Sequence, residues 1–265
     1  MAENILTVEN LNIAYQGVPA VMDVNFTLER GKVLTIVGES GSGKTTVIRA
    51  LMGLLPIGGE VTEGTMIFNG QDLRTLSKSE WRAIRGKDMA MIFQDSGSAL
   101  DPIVRIGKQF RELFTSHIEI TNDECDRRAI ELLESVSLPN GADILRRYPH
   151  ELSGGQRQRV GIAMALALDP ALLIGDEPTS ALDVTTQSQV VMQMLELAKE
   201  HNSAIVMVTH NLGVAAYMSD YIIVMKKGRV VDAGTPQDIL ENPSNEYTKQ
   251  LKDAVPTLGG GRYID

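Results

Sequence analysis

Val33-Leu34-Thr35-Ile36-Val37 leads directly into Gly38-Glu39-Ser40-Gly41-Ser42-Gly43-Lys44-Thr45-Thr46, and residues 45–52 that follow are compatible with a helix. A strand, a glycine-rich turn with the spacing G-x-x-x-x-G-K-[ST] and a helix, in that order, make a loop that closes on phosphate. The glycines let the backbone wrap closely and aim its N–H groups at phosphate oxygens. The helix start adds partial positive charge. Lys44 is thereby predicted to hold the β- and γ-phosphates of a nucleotide, and Thr45 to ligate Mg²⁺. The plainer reading, a Gly/Ser-rich turn, does not account for this context.

Four further short apolar runs, at 89–93, 172–174, 204–208 and 221–225, read as buried strands separated by helical patterns. That arrangement predicts an α/β fold with a parallel sheet covered on both faces. The first three of these runs end at Gln94, at Asp176-Glu177 and at Thr209-His210. Ligands of open α/β sheets bind beyond the carboxyl ends of the strands, so these polar groups mark a site. Asp176 is placed to bind Mg²⁺ through water, and Glu177 to polarise a water attacking the γ-phosphorus. The plainer reading is an acidic turn before Pro178. Residues 96–149 carry helical patterns and read as an insertion between strands, and Lys226-Lys227-Gly228-Arg229 as the turn of a hairpin over 221–231. Leu152-Ser153-Gly154-Gly155-Gln156 precedes an apolar helix at 157–168. Ser153 and Gln156 fit a capping box. Ser153 and the Gly154 and Gly155 amides also suit a second phosphate, and spacing alone does not choose between the two.

The chain has 265 residues, 43% hydrophobic and 22% charged, with a net charge of −9. This suits a globular protein. It is a poor match for non-specific nucleic-acid binding, which needs a cationic face. One cysteine, Cys125, excludes an internal disulfide, a Cys-rich zinc site and an iron–sulfur cluster. The longest uncharged apolar stretch, near 160–168, is far short of the ~20 residues that span a bilayer, and residues 1–9 do not resemble a secretory signal. Cys125, amid charged residues, is expected to be exposed on a helix. His117 and His201 read as surface groups, and His150 as a residue that orients the loop beside it. Methionines such as Met89, Met91, Met192 and Met194 read as core. Residues 258–265 read as a loose tail.

Together these residues resemble the nucleotide-binding subunits of ATP-binding cassette (ABC) transporters. Residues 152–156 match the family signature, 37–46 its Walker A loop and 172–177 its Walker B strand. Gln94 matches the Q-loop, Ser180-Ala181-Leu182-Asp183 the D-loop and His210 the H-loop, while Tyr15 stands where an aromatic stacks on adenine. The resemblance covers nearly the whole chain in the family's order. It implies a single P-loop NTPase (RecA-like) domain with a mainly parallel sheet core, an N-terminal antiparallel β subdomain and a helical insertion subdomain. The core would take residues 1–94 and 159–240, the helical subdomain with the signature 95–158, and the tail 241–265.

Ile84-Arg85-Gly86, Met91-Ile92-Phe93-Gln94-Asp95, Tyr148-Pro149-His150-Glu151, Val184-Thr185, Asn242-Pro243 and Tyr247-Thr248 are similar to the peptide/nickel importer branch. Departures from that branch are Ser96 for Pro, Asp101 for Asn, Asn211 for Asp and Asn245-Glu246 for His-Pro; none removes a catalytic group. Many peptide-importing members carry a cysteine-rich C-terminal extension, and this sequence shows no such cysteines, which leaves short metal or metallophore importers open beside peptide importers. The resemblance implies an ATPase using ATP and Mg²⁺ at the cytoplasmic face of the inner membrane. It would pair with a second ATPase subunit, act under two permease subunits and be fed by an external binding protein. Two subunits would sandwich two ATP molecules. The phosphate loop, Gln94, Asp176, Glu177 and His210 of one chain would act with Ser153, Gly154, Gly155 and Gln156 of the other. Gln94 would sense the γ-phosphate and Mg²⁺ and link them to the helical insertion, and His210 would hold the γ-phosphate and position the attacking water, so that Glu177, His210 and Gln94 form the catalytic set. The competing class is an ABC-type ATPase acting on DNA or ribosomes, whose coiled coils, zinc modules or second cassettes this sequence lacks.

Overall fold

The structure is a computed structural model that describes residues 3–178 and 184–254. The motif at 180–183 and the tail at 258–265 lie outside the described residues. The chain divides into two compact units, residues 1–77 with 204–265 and residues 78–203. In chain order the strands are β1 (Asn4–Tyr15), β2 (Val18–Glu29), β3 (Val33–Val37), β4 (Gly59–Phe68), β5 (Gln71–Asp72), β6 (Met89–Ile92), β7 (Leu172–Asp176), β8 (Ala204–Thr209), β9 (Tyr221–Lys226) and β10 (Arg229–Gly234).

The first unit holds an antiparallel sheet in the order β2-β1-β4-β5. On β2 the alternation of Val24, Phe26 and Leu28 inward with Asn25, Thr27 and Glu29 outward is the period-two pattern of a strand with one wet face. Tyr15 pairs with Val18 across a two-residue turn, where Gln16 and Gly17 both take positive φ, as a type I′ hairpin requires. In the same unit β3 runs parallel to both β8 and β9, and β9 turns antiparallel into β10. Residues 34–37 of β3 and 204–208 of β8 are buried, so these strands read as continuous apolar runs. The hairpin expected over 221–231 is present: Lys226 pairs with Arg229, with Lys227 and Gly228 at φ +49° and +79°.

In the second unit β6 and β7 pair in parallel from Met89↔Leu172 to Ile92↔Gly175. β6 ends one residue before the expected run does, and β7 continues through Gly175 to Asp176. Around this pair are the helices Ile106–Thr115, Asn122–Ser135, Gly154–Leu166 and Val184–Glu200. The expected α/β architecture, with parallel pairing and an N-terminal antiparallel sheet, is present.

Cys125 corrects the sequence reading: it is fully buried. Helix Asn122–Ser135 turns Cys125, Ala129 and Leu133 inward at four-residue spacing, while Glu124, Arg127, Arg128 and Glu131 pair ionically outside. The charged neighbours in sequence stand on the opposite face, and burial pushes the thiol pKa up. Met89 and Met194 are core, Met91 is half-buried, and Met192 is exposed, against expectation. His201 is exposed and meets Asp169 at 3.1 Å, and His117 is half-buried.

Candidate nucleotide site

The phosphate loop lies in the first unit, between β3 and helix Lys44–Leu51. Gly38 is packed so closely that an added Cβ would stand 2.2 Å from the Met225 carbonyl oxygen, so no side chain fits there. Gly43 takes φ +102°, a conformation that glycine adopts without strain. It is also the helix N-cap, with no side chain to occupy the first amides and no acidic residue in the first turn. That leaves the helix start suited to an anion. Lys44 is buried, and its ammonium donates to the carbonyls of Gly38 at 2.7 Å and Glu39 at 2.8 Å. The turn is pinned by Ser42 N–H donating to Glu39 O at 3.2 Å and Gly228 N–H donating to Ser42 O at 2.9 Å. Glu39, Ser40 and Gly41 are exposed, Ser42 is buried, and Thr45 and Thr46 are half-buried.

His210 belongs to the same edge of the same unit. Val37 and Thr209 are register partners, so Gly38 and His210 leave the sheet side by side. His210 is exposed. Asn211 caps the next helix, accepting the amides of Gly213 and Val214 at 2.9 and 3.2 Å. Aspartate would cap equally well, so the departure here preserves the cap. Tyr15 ends β1 half-buried, its ring against Gly59, where an added Cβ would stand 2.6 Å from Cε1.

The second unit brings Gln94, Asp176 and Glu177 together. Ile92↔Gly175 is the last pair of the register, so Gln94 and Glu177 both lie just beyond the same end of these adjacent parallel strands. Gln94 is exposed, and Asp176 is buried at the end of a wholly buried strand. Glu177 takes φ +46°, a left-handed conformation that glutamate rarely adopts. Such strain clusters at functional positions.

Sequence reading missed Gln158. This side chain is 2% exposed, and its amide donates to the Phe93 carbonyl at 3.2 Å and the Pro178 carbonyl at 2.5 Å. It thus ties together the residues flanking Gln94 and Glu177. The available signal was a glutamine on a helix face otherwise filled by Ile162 and Ala165.

Gln158 stands on the signature helix Gly154–Leu166. Ser153 Oγ accepts the Gln156 amide at 3.2 Å, and Gln156 Oε1 accepts the Ser153 amide at 2.9 Å, so the capping box is formed. Ser153 and Gly154 remain exposed, while Gly155 and Gln156 are half-buried. Exposed His150 stacks on Tyr148 at 5.5 Å in the turn before the signature. Asp101 accepts the Ile103 amide at 3.1 Å, a role open to asparagine as well.

A family model described as ABC transporter matches residues 21–180. The dipeptide transport ATP-binding protein DppD of Lactococcus lactis subsp. cremoris is 45% identical over 261 residues, spanning 97% of this chain and 75% of that protein. The oligopeptide transport ATP-binding protein OppD of Bacillus subtilis is 44% identical over 259 residues, spanning 96% and 72%. A dimeric structure of the ATP-binding cassette MJ0796 in a post-hydrolysis state with ADP and Pi matches with a TM-score of 0.78 at 28% identity, covering 87% of this chain and 98% of that one. On this likeness and on the phosphate loop closed by Lys44, the chain belongs to the ABC transporter family, as one of its ATP-hydrolysing subunits.

Proposed function

We propose that this ATPase powers the import of peptides. It would act at the cytoplasmic face of the inner membrane beneath two permease subunits, paired with a second ATPase and fed by an external binding protein. One observation carries the reading. A phosphate loop closed by its own buried lysine sits on a chain that is similar over nearly its whole length to dipeptide and oligopeptide transport subunits. These relatives favour peptide over nickel or metallophore cargo. No helix among the described residues is long and apolar enough to cross a membrane, so the path for cargo would belong to partners.

The chemistry is positioning and charge stabilisation. Lys44 and the loop amides from Gly38 to Thr46, with Glu39, Ser40, Gly41, Ser42 and Gly43 between, would hold the β- and γ-phosphates. Tyr15 would stack on the adenine. Among the described residues no group of three His, Cys, Asp or Glu side chains could hold a metal. A cation that arrives with the nucleotide needs fewer ligands, and the Thr45 hydroxyl, Asp176 and Gln94 would each be donors to it. Mg²⁺, when bound, would neutralise charge on the phosphate oxygens. Glu177 would take a proton from the attacking water, and His210 would hold the γ-phosphate. Ser153, Gly154, Gly155 and Gln156 would act on the ATP of the partner subunit, and the exposure of Ser153 and Gly154 supports that role. ATP would drive closure through its higher affinity for the closed pair, and the helical segment 95–158 would pass that motion to the permease.

Purification from native membranes in mild detergent, with mass spectrometry of what accompanies the chain, tests the reading. Two permeases, a second ATPase and a peptide-binding protein are expected. Ribosomal or DNA-repair proteins with no permease would overturn transport while leaving the ATPase intact.

A further inference from the structure

We infer that Tyr247 is a positioning residue for Lys44: its hydroxyl fixes the Gly38–Glu39 peptide, and through that peptide the ammonium that grips the phosphates. This rests on the phosphate-loop reading above. The Glu39 N–H donates to the Tyr247 hydroxyl oxygen at 2.9 Å. The other end of that same peptide group is the Gly38 carbonyl, which accepts from Lys44 Nζ at 2.7 Å. A peptide group is planar, so holding its N–H sets the direction of its C=O. Hydrogen bonds in series also polarise one another, and the phenol strengthens the acceptor that the lysine uses.

The phenol is itself held rigidly. Tyr247 is 3% exposed and packs with Val37, Leu212, Ile222 and Val224. Val37 is the residue immediately before the loop, so ring and loop share one apolar base. Lys226 Nζ lies 4.2 Å from the ring centroid, a cation–π contact. The helix Glu246–Asp253 that carries Tyr247 starts at Asn245, whose side chain accepts the Tyr247 amide at 2.9 Å. The turn before that helix is anchored on Asp232, which accepts the amides of Ser244 and Asn245 at 3.0 and 3.2 Å and the Ser244 hydroxyl at 2.7 Å. A segment 208 positions along the chain from Glu39 thus sets the geometry of the phosphate grip.

Tyr247→Phe keeps the ring, its packing and its cation–π contact, and removes only the oxygen. In the full chain, MgATP displacing a fluorescent trinitrophenyl-ATP probe should show a Kd raised about five-fold, the worth of one ordinary hydrogen bond. In membranes that contain the assembled transporter, KM for ATP should rise by the same factor while kcat holds. An unchanged Kd and KM, or a fall in kcat matching any rise in KM, would overturn the assignment. A wild-type chain that binds no MgATP would instead sink the phosphate-loop reading itself, before Tyr247 is reached.

Discussion

In the first unit the phosphate loop is braced from outside its motif. Met225 stands against Gly38, Gly228 holds Ser42, and Tyr247 holds Glu39. In the second unit Gln94 and Glu177 are braced by Gln158, two residues beyond the signature. Within the loop, the groups that would grip phosphate are backbone amides and one lysine, and they need a fixed main chain. The groups that would react are side chains beyond strand ends, and they need fixed neighbours on the helix whose start would, in the proposed pair, face the partner's ATP. Damage to the first unit should therefore appear in nucleotide affinity, and damage to the second in turnover.

The largest effect should follow Glu177→Gln. Removing the proposed base leaves the phosphate loop untouched, so ATP binding should be retained while hydrolysis falls about a hundred-fold or more. Phosphate release in the assembled transporter, set beside probe displacement by the same variant, checks both halves of that statement. Intact hydrolysis would remove Glu177 from the base role. In the same slow background, Ser153→Arg should leave each chain's own ATP binding in place and abolish ATP-driven pairing, read by light scattering on the eluted species. Normal pairing would refute action on the partner's nucleotide.

Gln158→Leu sharpens the comparison further. The substitution removes the donor shared by the Phe93 and Pro178 carbonyls and keeps a similar volume on the helix. A fall in kcat of about ten-fold is expected, equivalent to about 1.4 kcal/mol in the barrier, with KM for ATP unchanged. A rise in KM with unchanged kcat would erase the division of labour between the two units. Gln158→Met, which also lacks the donor but is unbranched like glutamine, should behave like Gln158→Leu if the hydrogen bonds rather than the packing matter.

Much of this was legible in residues 33–46, because the phosphate loop depends on local backbone freedom and a fixed spacing that sequence displays directly. The ends of β6, β7 and β8 were legible to within two residues for a similar reason: buried strands must be apolar, so polar residues gather near the exit. Cys125 was misread because its sequence neighbours are charged, whereas helical periodicity sends it to the other face. Gln158 and Tyr247 were not legible at all as site residues. Each acts through a main-chain group of a residue distant in sequence, and a backbone carbonyl or amide leaves no signature in side-chain identity. Tyr247 stood within a motif of the resemblance, but nothing in the motif says that its hydroxyl meets Glu39.

The smallest expected effect concerns the anchor behind Tyr247. Burial pushes the Asp232 carboxyl up, but the Ser244 hydroxyl and the amides of Ser244 and Asn245 outweigh it and hold the group below its ordinary value. The folded chain therefore takes up this proton less readily than the unfolded chain. The stabilisation is complete above the ordinary aspartate value of about 3.9 and is lost as pH falls through the lower folded value. Asp232→Asn, which removes the charge at every pH, should cost about 2 kcal/mol near neutrality. Its melting temperature should approach that of the wild type as pH drops below the ordinary carboxylate range. Because Asp232 reaches the phosphate loop only through the Tyr247 helix, its nucleotide Kd at neutral pH should rise less than that of Tyr247→Phe. A larger rise would mean that the helix as a whole, rather than the phenol oxygen, sets the grip of Lys44.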